Sequence, residues 1–579
     1  MLRLSFCLFS VITATLWASP PQPVVPNAVP DRFRPLAMDN QKLAGLLVNR
    51  LRANHEGFLE HVNLPVLLHP FQTKTRSESE AVAEGEFAGR YLQAASNAYE
   101  YTHDPQLKAS MDKVRVQLLS LQAKNGYFAV YSDRERWTSA DLLVHKWLLL
   151  GLLSYWQATG EEDAYTACQM IGDLLVDIWG DKGKEHALLE GGHSENLPFR
   201  LAALQTVESL TFLYRYTADP KYLDLCKSIV RAADINTAFT NPGAKENLPD
   251  VLVSLTGLAD LYRLTGDKIY LYPALRCWKD LSRNSLLLTG TPAIDNCTTA
   301  AWMQLTLDLF RITGEPQYGQ QLERTIYNQL LSAQDMHTGR IASEVALAGK
   351  KDFSSGLLPN NGRCVLSEAE GLTMIPQTVW GRYAEGILIN LYTAGRATVQ
   401  LRRRGLIQIY SEASFPATGE VLLHIEPSHN IQFPLALRVP DWTSSFTVDI
   451  AGQHLVGKGG ELVTVNREWR RGDTVKISMA MDLRTLSSSD EKTGKIAIQR
   501  GPQILAFSKV LNPQVADLSL IKFPLTTPSR PKLSSTEAPL PATWYGDQAY
   551  QIEGEYEGKK QPFILVPFAD AIHYQVWLQ

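Results

Sequence analysis

Residues 262–271 read YRLTGDKIYL, and the pattern returns as YEYTHDPQL at 99–107, YWQATGEEDAY at 155–165, YRYTADPKYL at 214–223 and FRITGEPQYG at 310–319. The threonines stand at 102, 159, 217, 265 and 313, which gives spacings of 57, 58, 48 and 48 residues. Each copy follows one aromatic-rich segment and precedes another, with apolar residues three and four apart, as in LLVHKWLLLGLLSYW and AAWMQLTLDLF. A Thr-Gly-Asp or Thr-Ala-Asp element stops one helix and supplies the N-cap of the next. One period is therefore a helix pair with its connections. Such a pair cannot bury its apolar stripe alone, so the run of periods predicts stacked or circularised hairpins. Open superhelical solenoids usually have shorter and more uniform repeats. The spacing favours a closed α/α toroid over residues 35–395, of the (α/α)6 kind.

Past residue 396 the pattern changes. GEVLLHIEP, FPLALRVPDW, FTVDIAG, ELVTVNREW and DTVKISMAM are short, rich in β-branched residues and bounded by Gly, Pro, Asn or Asp. They predict a β-sandwich domain over 396–488. IAIQRGPQILAF, LSLIKFPL and IHYQVWLQ predict a further β-rich region over 489–579, interrupted by a proline- and serine-rich stretch at 526–543.

With 579 residues and 45% hydrophobic content, the chain has material for several cores. Its 56 basic and 60 acidic residues leave a net charge of -4 without long blocks of one sign, which argues against nucleic acid as a partner. The run RRR at 402–404 reads as a solvated or edge-strand cluster. The opening MLRLSFCLFSVITATLWAS reads as a secretory signal peptide over 1–18, cut near Ala18. No later stretch holds 18 consecutive apolar residues, so stable membrane insertion is not expected. The mature protein is expected to be exported, to the periplasm or the medium. It would keep Cys168, Cys226, Cys277, Cys297 and Cys364, too few and too scattered for a disulfide scaffold.

The order and spacing of several segments carry a resemblance. GEFAGRYLQAASNAYEYTHD at 85–104, LQAKNGYFAVY at 121–131, LLVHKWLLLGLLSYWQATG at 142–160, ERTIYNQLLSAQ at 323–334, GLTMIP at 371–376 and FPLALRVPDW at 433–442 together resemble glycoside hydrolase family 127. That group's reference member is a bacterial β-L-arabinofuranosidase. The resemblance implies an α/α toroid followed by β-sandwich domains, a carbohydrate partner, and a zinc ion held by a Glu-x-Cys pair and a Cys-Cys pair. The first cysteine of the second pair would be the nucleophile and an upstream glutamate the acid/base. Laid onto this chain, Glu-x-Cys falls on Asp295, Asn296 and Cys297, and Cys-Cys on Arg363 and Cys364. The metal set would be Asp295, Cys297 and Cys364, binding zinc or nothing. TGTPAIDNC at 289–297 holds no acid/base glutamate. The expectation is that neither the family's cysteine pair nor its acid/base glutamate is retained intact.

In NGRCVLSEAEG at 361–371, Cys364 is a candidate nucleophile with Arg363 favouring its thiolate, and Glu368 or Glu370 a candidate proton donor or oxygen ligand. Buried, inert thiols are the competing reading. Candidate sugar contacts are His145 in VHKW, His193 in GGHSEN, Glu86, Arg363, Trp380 and Tyr383, because rings and hydroxyl-directed hydrogen bonds suit sugars. The competing readings are His145 satisfied by a neighbouring carbonyl, Glu86 by Arg90 four residues on, and the aromatic rings by a core. The functions in play are an exported glycosidase acting on a furanose-type or otherwise unusual glycan, a catalytically inactive carbohydrate-binding relative, and a lyase on an acidic sugar held through Arg363.

Overall fold

The computed structural model describes residues 21–73, 84–131, 136–185, 197–235, 239, 247–353, 358, 361–402, 404–487, 496–517, 520–522, 534–535, 546 and 548–577. The leader 1–18, His193 and nearly all of 526–543 lie outside these residues.

Each repeated threonine turns the chain in the same way. Its Oγ1 donates to the carbonyl four residues back, on Ala98, Tyr155, Leu213, Leu261 and Leu309, at 2.7 to 3.1 Å. The same oxygen accepts the backbone N–H two residues on, from Asp104, Glu161, Asp219, Asp267 and Glu315, at 3.2 to 3.4 Å. The residue between adopts the left-handed conformation, with φ of 56° at His103, 77° at Gly160, 54° at Ala218, 77° at Gly266 and 69° at Gly314. The acidic residue then opens the next helix. Asp104 accepts from the N–H groups of Gln106 and Leu107, and Asp219 from that of Lys221.

Five such corners join inner to outer helices. The inner helices are Phe87–Thr102, Ser139–Thr159, Leu197–Thr217, Leu248–Thr265, Asn296–Thr313 and Gly362–Thr373. Each packs on the next, and the last packs back on the first, which closes the toroid. Pro105–Leu121, Glu162–Trp179, Pro220–Ala233, Leu271–Asn284 and Pro316–Thr325 lie outside this ring. The first two inner helices touch backbone to backbone, because a Cβ at Gly151 would collide with the Gly89 carbonyl.

The arginines that precede the last three corner threonines serve the closed end of the ring. Residues 24–32 run across it as a strap: Val24 N–H donates to the Arg215 carbonyl at 2.9 Å, Val29 to Arg263 at 3.1 Å and Arg32 to Arg311 at 2.7 Å. Asp31 then accepts from both the Arg263 and Arg311 guanidiniums at 2.8 to 3.1 Å.

The strap continues into the β-sandwich. Phe33–Pro35 edges a five-stranded sheet with Trp380–Tyr383, Gly386–Ile389, Ile431–Arg438 and Leu462–Trp469. Gln41–Leu43 edges a seven-stranded sheet through Gly395–Leu401. The sandwich thus draws strands from both sides of the toroid sequence. Arg438 anchors it to the ring through buried Glu323 at 2.5 Å, whose other oxygen accepts Trp442 Nε1 at 2.8 Å. The C-terminal sheet, built on Ile496–Arg500, Gln503–Ser508 and Lys559–Pro567, is tied to the toroid by Asn328 and by the Arg50–Asp570 pair at 2.7 Å.

Burial alone would raise the Asp31 pKa, but Arg311 and Arg263 outweigh it and hold the carboxyl below its ordinary 3.8. Its contribution to stability is therefore complete above about that pH and fades as pH falls through the lower folded value. Asp31→Asn should cost roughly 3 kcal/mol by removing the carboxylate that Arg263 and Arg311 share, although Asp260 and Asp308 stay beside them. Denaturant titrations of both proteins at neutral and acidic pH check this, and the gap between them should narrow in acid.

Candidate active site

The inner helices meet around a narrow cavity lined by Arg90, Trp147, Glu208, Thr256, Cys297, Gln304, Arg363, Ser367 and Glu370. The corners lie at the carboxyl ends of these helices. Along the helix Leu248–Thr265, cavity-lining Thr256 precedes Arg263, whose carbonyl the strap engages, by about 10 Å.

The charges fall into two groups that meet at Trp147. In the first, Glu86 is fully buried and accepts from Arg90 at 2.9 Å, while Arg363 Nε lies 3.7 Å from the same oxygen. Arg363 reaches Asp250 at 2.5 Å, and Asp250 also accepts from Gln205 at 3.1 Å. Burial works against the Arg363 charge, yet Glu86 and Asp250 raise its pKa and fix it as a cation. In the second group, Lys146 Nζ pairs with Glu208 at 2.9 Å, and Trp147 lies between Lys146 and Arg90 with both cations over its ring. Glu370 lies among these groups. Burial, then the Glu208 charge, push its pKa up to about 7 against the pull of Arg90 and Lys146. It is a carboxyl that exchanges its proton near neutrality, at a cavity that also exposes a second carboxylate.

The expectation that no cysteine pair is retained is corrected by the structure. Cys297, in the first turn of the fifth inner helix, and Cys364, in that of the sixth, are paired across 67 residues at disulfide distance, with Cα atoms 4.6 Å apart. The pairing was illegible in the sequence because it joins neighbours in the ring rather than adjacent residues. Cys364 is therefore a bonded sulfur and not a free thiolate nucleophile. Ser367 Oγ sits 3.9 Å from the Cys297 sulfur and donates to the Arg363 carbonyl at 2.9 Å.

Asp295, Cys297 and Cys364 do converge, with donor atoms within 4.8 Å of one another, as do His55, Glu60 and Asp104 near the first corner. The first set does not fit zinc as it stands. Its sulfurs are bonded to each other, and Asp295 caps its helix through the Thr298 N–H at 2.8 Å and the Thr298 hydroxyl at 2.9 Å. A zinc ion needs deprotonated donors, and the charged Arg363 beside them repels a cation. In the second set Asp104 already caps its helix, and His55 lies 3.1 Å from Glu60.

The remaining candidates divide by position. Glu370 and Arg363 line the cavity, and Glu86 supports Arg363 from behind. Glu368 does not line it; it is buried with both oxygens unpartnered, and burial raises its pKa well above the usual carboxylate range. His145 accepts the Phe128 N–H at 3.1 Å, bonds the Asp141 carbonyl at 2.9 Å and stacks on Tyr127, so it organises the 127–128 segment instead of facing a sugar. Trp380 and Tyr383 belong to the sandwich edge that pairs with Phe33–Pro35, and not to the cavity. Sequence reasoning missed Glu208, Asp250, Gln304 and Thr256, which stand inside helices without a surrounding motif.

The disulfide closes a long loop and should stabilise the fold by about 2–4 kcal/mol. Alkylation without reductant should leave Cys297 and Cys364 unmodified by mass spectrometry. Zinc added to the oxidised protein should leave its melting temperature unchanged.

Residues 33–293 and 291–354 match the model of the Beta-L-arabinofuranosidase GH127 catalytic domain, and residues 386–481 that of the GH127 middle domain. A non-reducing end beta-L-arabinofuranosidase from Bifidobacterium longum subsp. longum is 23% identical over 524 residues, covering 73% of this chain and 75% of its own. A solved GH127 beta-arabinofuranosidase superposes with a TM-score of 0.78 at 18% identity, covering 95% of this chain and 98% of that one. A GH127 beta-L-arabinofuranosidase from Geobacillus stearothermophilus T6 gives 0.75 at 17% identity, over 93% and 100%. At these identities the superpositions speak for the fold, and the matched domain models place the chain in glycoside hydrolase family 127.

Proposed function

We propose that this carbohydrate-active chain is exported and removes a terminal furanose-type sugar from a glycan, as an arabinofuranosidase-like hydrolase. The observation that carries this reading is Glu370, a cavity carboxyl poised near pH 7, beside Glu208. Glycoside hydrolysis needs a proton for the leaving oxygen and a carboxylate to support attack at the anomeric carbon. Glu370 supplies the proton. Glu208, held by Lys146, is the second carboxylate. No step passes through a metal ion or a cysteine thiolate.

The second reading, sugar binding without turnover, is favoured because the resemblance puts the nucleophile at Arg363, and Cys364 beside it is bonded to Cys297. Lyase action on an acidic sugar is less supported, since the Arg363 charge is already met by Asp250 at 2.5 Å and by Glu86 at 3.7 Å.

Hydrolysis of aryl β-L-arabinofuranosides and of arabino-oligosaccharides tests the reading. The rate should fall as pH rises through about 7, where Glu370 loses its proton. Glu370→Gln should lower kcat by about 10²-fold or more with little change in product affinity. Affinity for arabinose or its oligomers without turnover at any pH would select the binding-only reading.

A further inference from the structure

At the strap end of the toroid, sharing no lining residue with the cavity, lies a cleft of about 390 Å³. Its walls bring together Arg32 and Arg34 from the strap, Arg382 from the sandwich edge and Arg402 from the turn after Gly395–Leu401. The juxtaposition is built into the fold. The antiparallel register pairs Arg34 directly with Arg382, an arrangement of like charges that destabilises a sheet. The carboxylates at hand are used elsewhere: Asp31 holds Arg263 and Arg311, and Glu385 sits 3.5 Å from Arg404. Among the described residues the four guanidiniums thus have no carboxylate of their own. Arg34 Nε donates to the Asp31 backbone carbonyl at 3.1 Å, which orients the side chain without neutralising it. Burial, and then the charges of Arg34 and Arg402, push the Arg382 pKa down, as expected of a cation lacking its counter-ion.

We propose that this arginine cleft is a second carbohydrate site that binds a uronate-bearing glycan and tethers the polysaccharide away from the cavity. Guanidinium forks match planar carboxylates through paired hydrogen bonds. A concave cleft of this volume encloses a few sugar units, whereas a lipid surface or a nucleic-acid backbone is engaged by a broad basic face. The assignment rests on membership of a carbohydrate-active family and not on hydrolysis, so it stands or falls separately from the role given to Glu370.

The test is calorimetric titration of the full-length mature protein with trigalacturonate, a neutral arabinotriose, inorganic phosphate and vesicles containing anionic phospholipid. Trigalacturonate should bind at least tenfold more tightly than arabinotriose, and its affinity should fall as salt rises. Arg382→Gln and Arg34→Gln should each weaken it tenfold or more. Because each removes a like-charge pair, neither should lower the melting temperature of the free protein. Glu370→Gln should bind trigalacturonate like the wild type, and Arg382→Gln should cleave small arabinofuranosides at the wild-type rate. Equal affinity for the neutral and acidic trisaccharides, or trigalacturonate binding unchanged in both arginine variants, overturns the proposal. Preference for phosphate or vesicles over trigalacturonate overturns the glycan assignment. Should the variants fail to fold, an absent salt dependence in the wild type is equally decisive against it.

Discussion

The architecture depends on one local device, a threonine hydroxyl that closes a helix and starts the next. Its oxygen donates backward to a carbonyl and accepts forward from an N–H, while the residue between swings through a left-handed conformation. Five uses of this device leave the inner helices parallel, with their carboxyl ends at the corners and their amino ends on the other face. An amino end carries unsatisfied N–H groups and a partial positive charge. Asp295 answers it directly as an N-cap, and Asp250, in the first turn of its helix, answers it while holding Arg363. The corner that turns the chain also decides where carboxylates gather.

That gathering explains why the cavity holds both strong pairs and one carboxyl with a displaced pKa. A cation buried in the ring survives only if carboxylates neutralise it, and Arg363 has two of them. Lys146 is likewise held by Glu208. Glu370 is the remaining acid. It feels Arg90 and Lys146, but these are committed to Glu86 and Glu208, so burial and the Glu208 charge win. Neutral sugars suit such a site, since their hydroxyls bond to paired charges without disturbing the balance.

The toroid was legible because its signal is periodic and local: a threonine, a left-handed residue and an acid recur in order, and the threonine hydroxyl makes the same two hydrogen bonds each time. The strands past 396 were legible from their alternation. Phe33–Pro35 and Gln41–Leu43 were not, because three residues at a sheet edge carry no periodicity. The site was legible only in part. Arg363 and Glu370 stood out in a motif with chemical content, but Glu208 and Asp250 look like ordinary helical carboxylates until the ring closes. His145 misled through its residue type: beside a cavity, an imidazole satisfied at both nitrogens is structure. The pairing of Cys297 with Cys364 needed the adjacency of the fifth and sixth inner helices, which no spacing announces.

The two ends of the ring handle charge in opposite ways. At the cavity end each of Arg90, Lys146 and Arg363 meets a carboxylate within 3 Å. At the strap end the arginines of the repeats meet Asp31, Asp260 and Asp308, but the sandwich edge then adds Arg382 opposite Arg34 without a matching acid. Fold formation alone does not require that mismatch, because a neutral residue at 382 would complete the same ladder with less repulsion. Cations that face each other here, where those of the repeats are paired, carry a cost in the free protein that a bound anion would relieve.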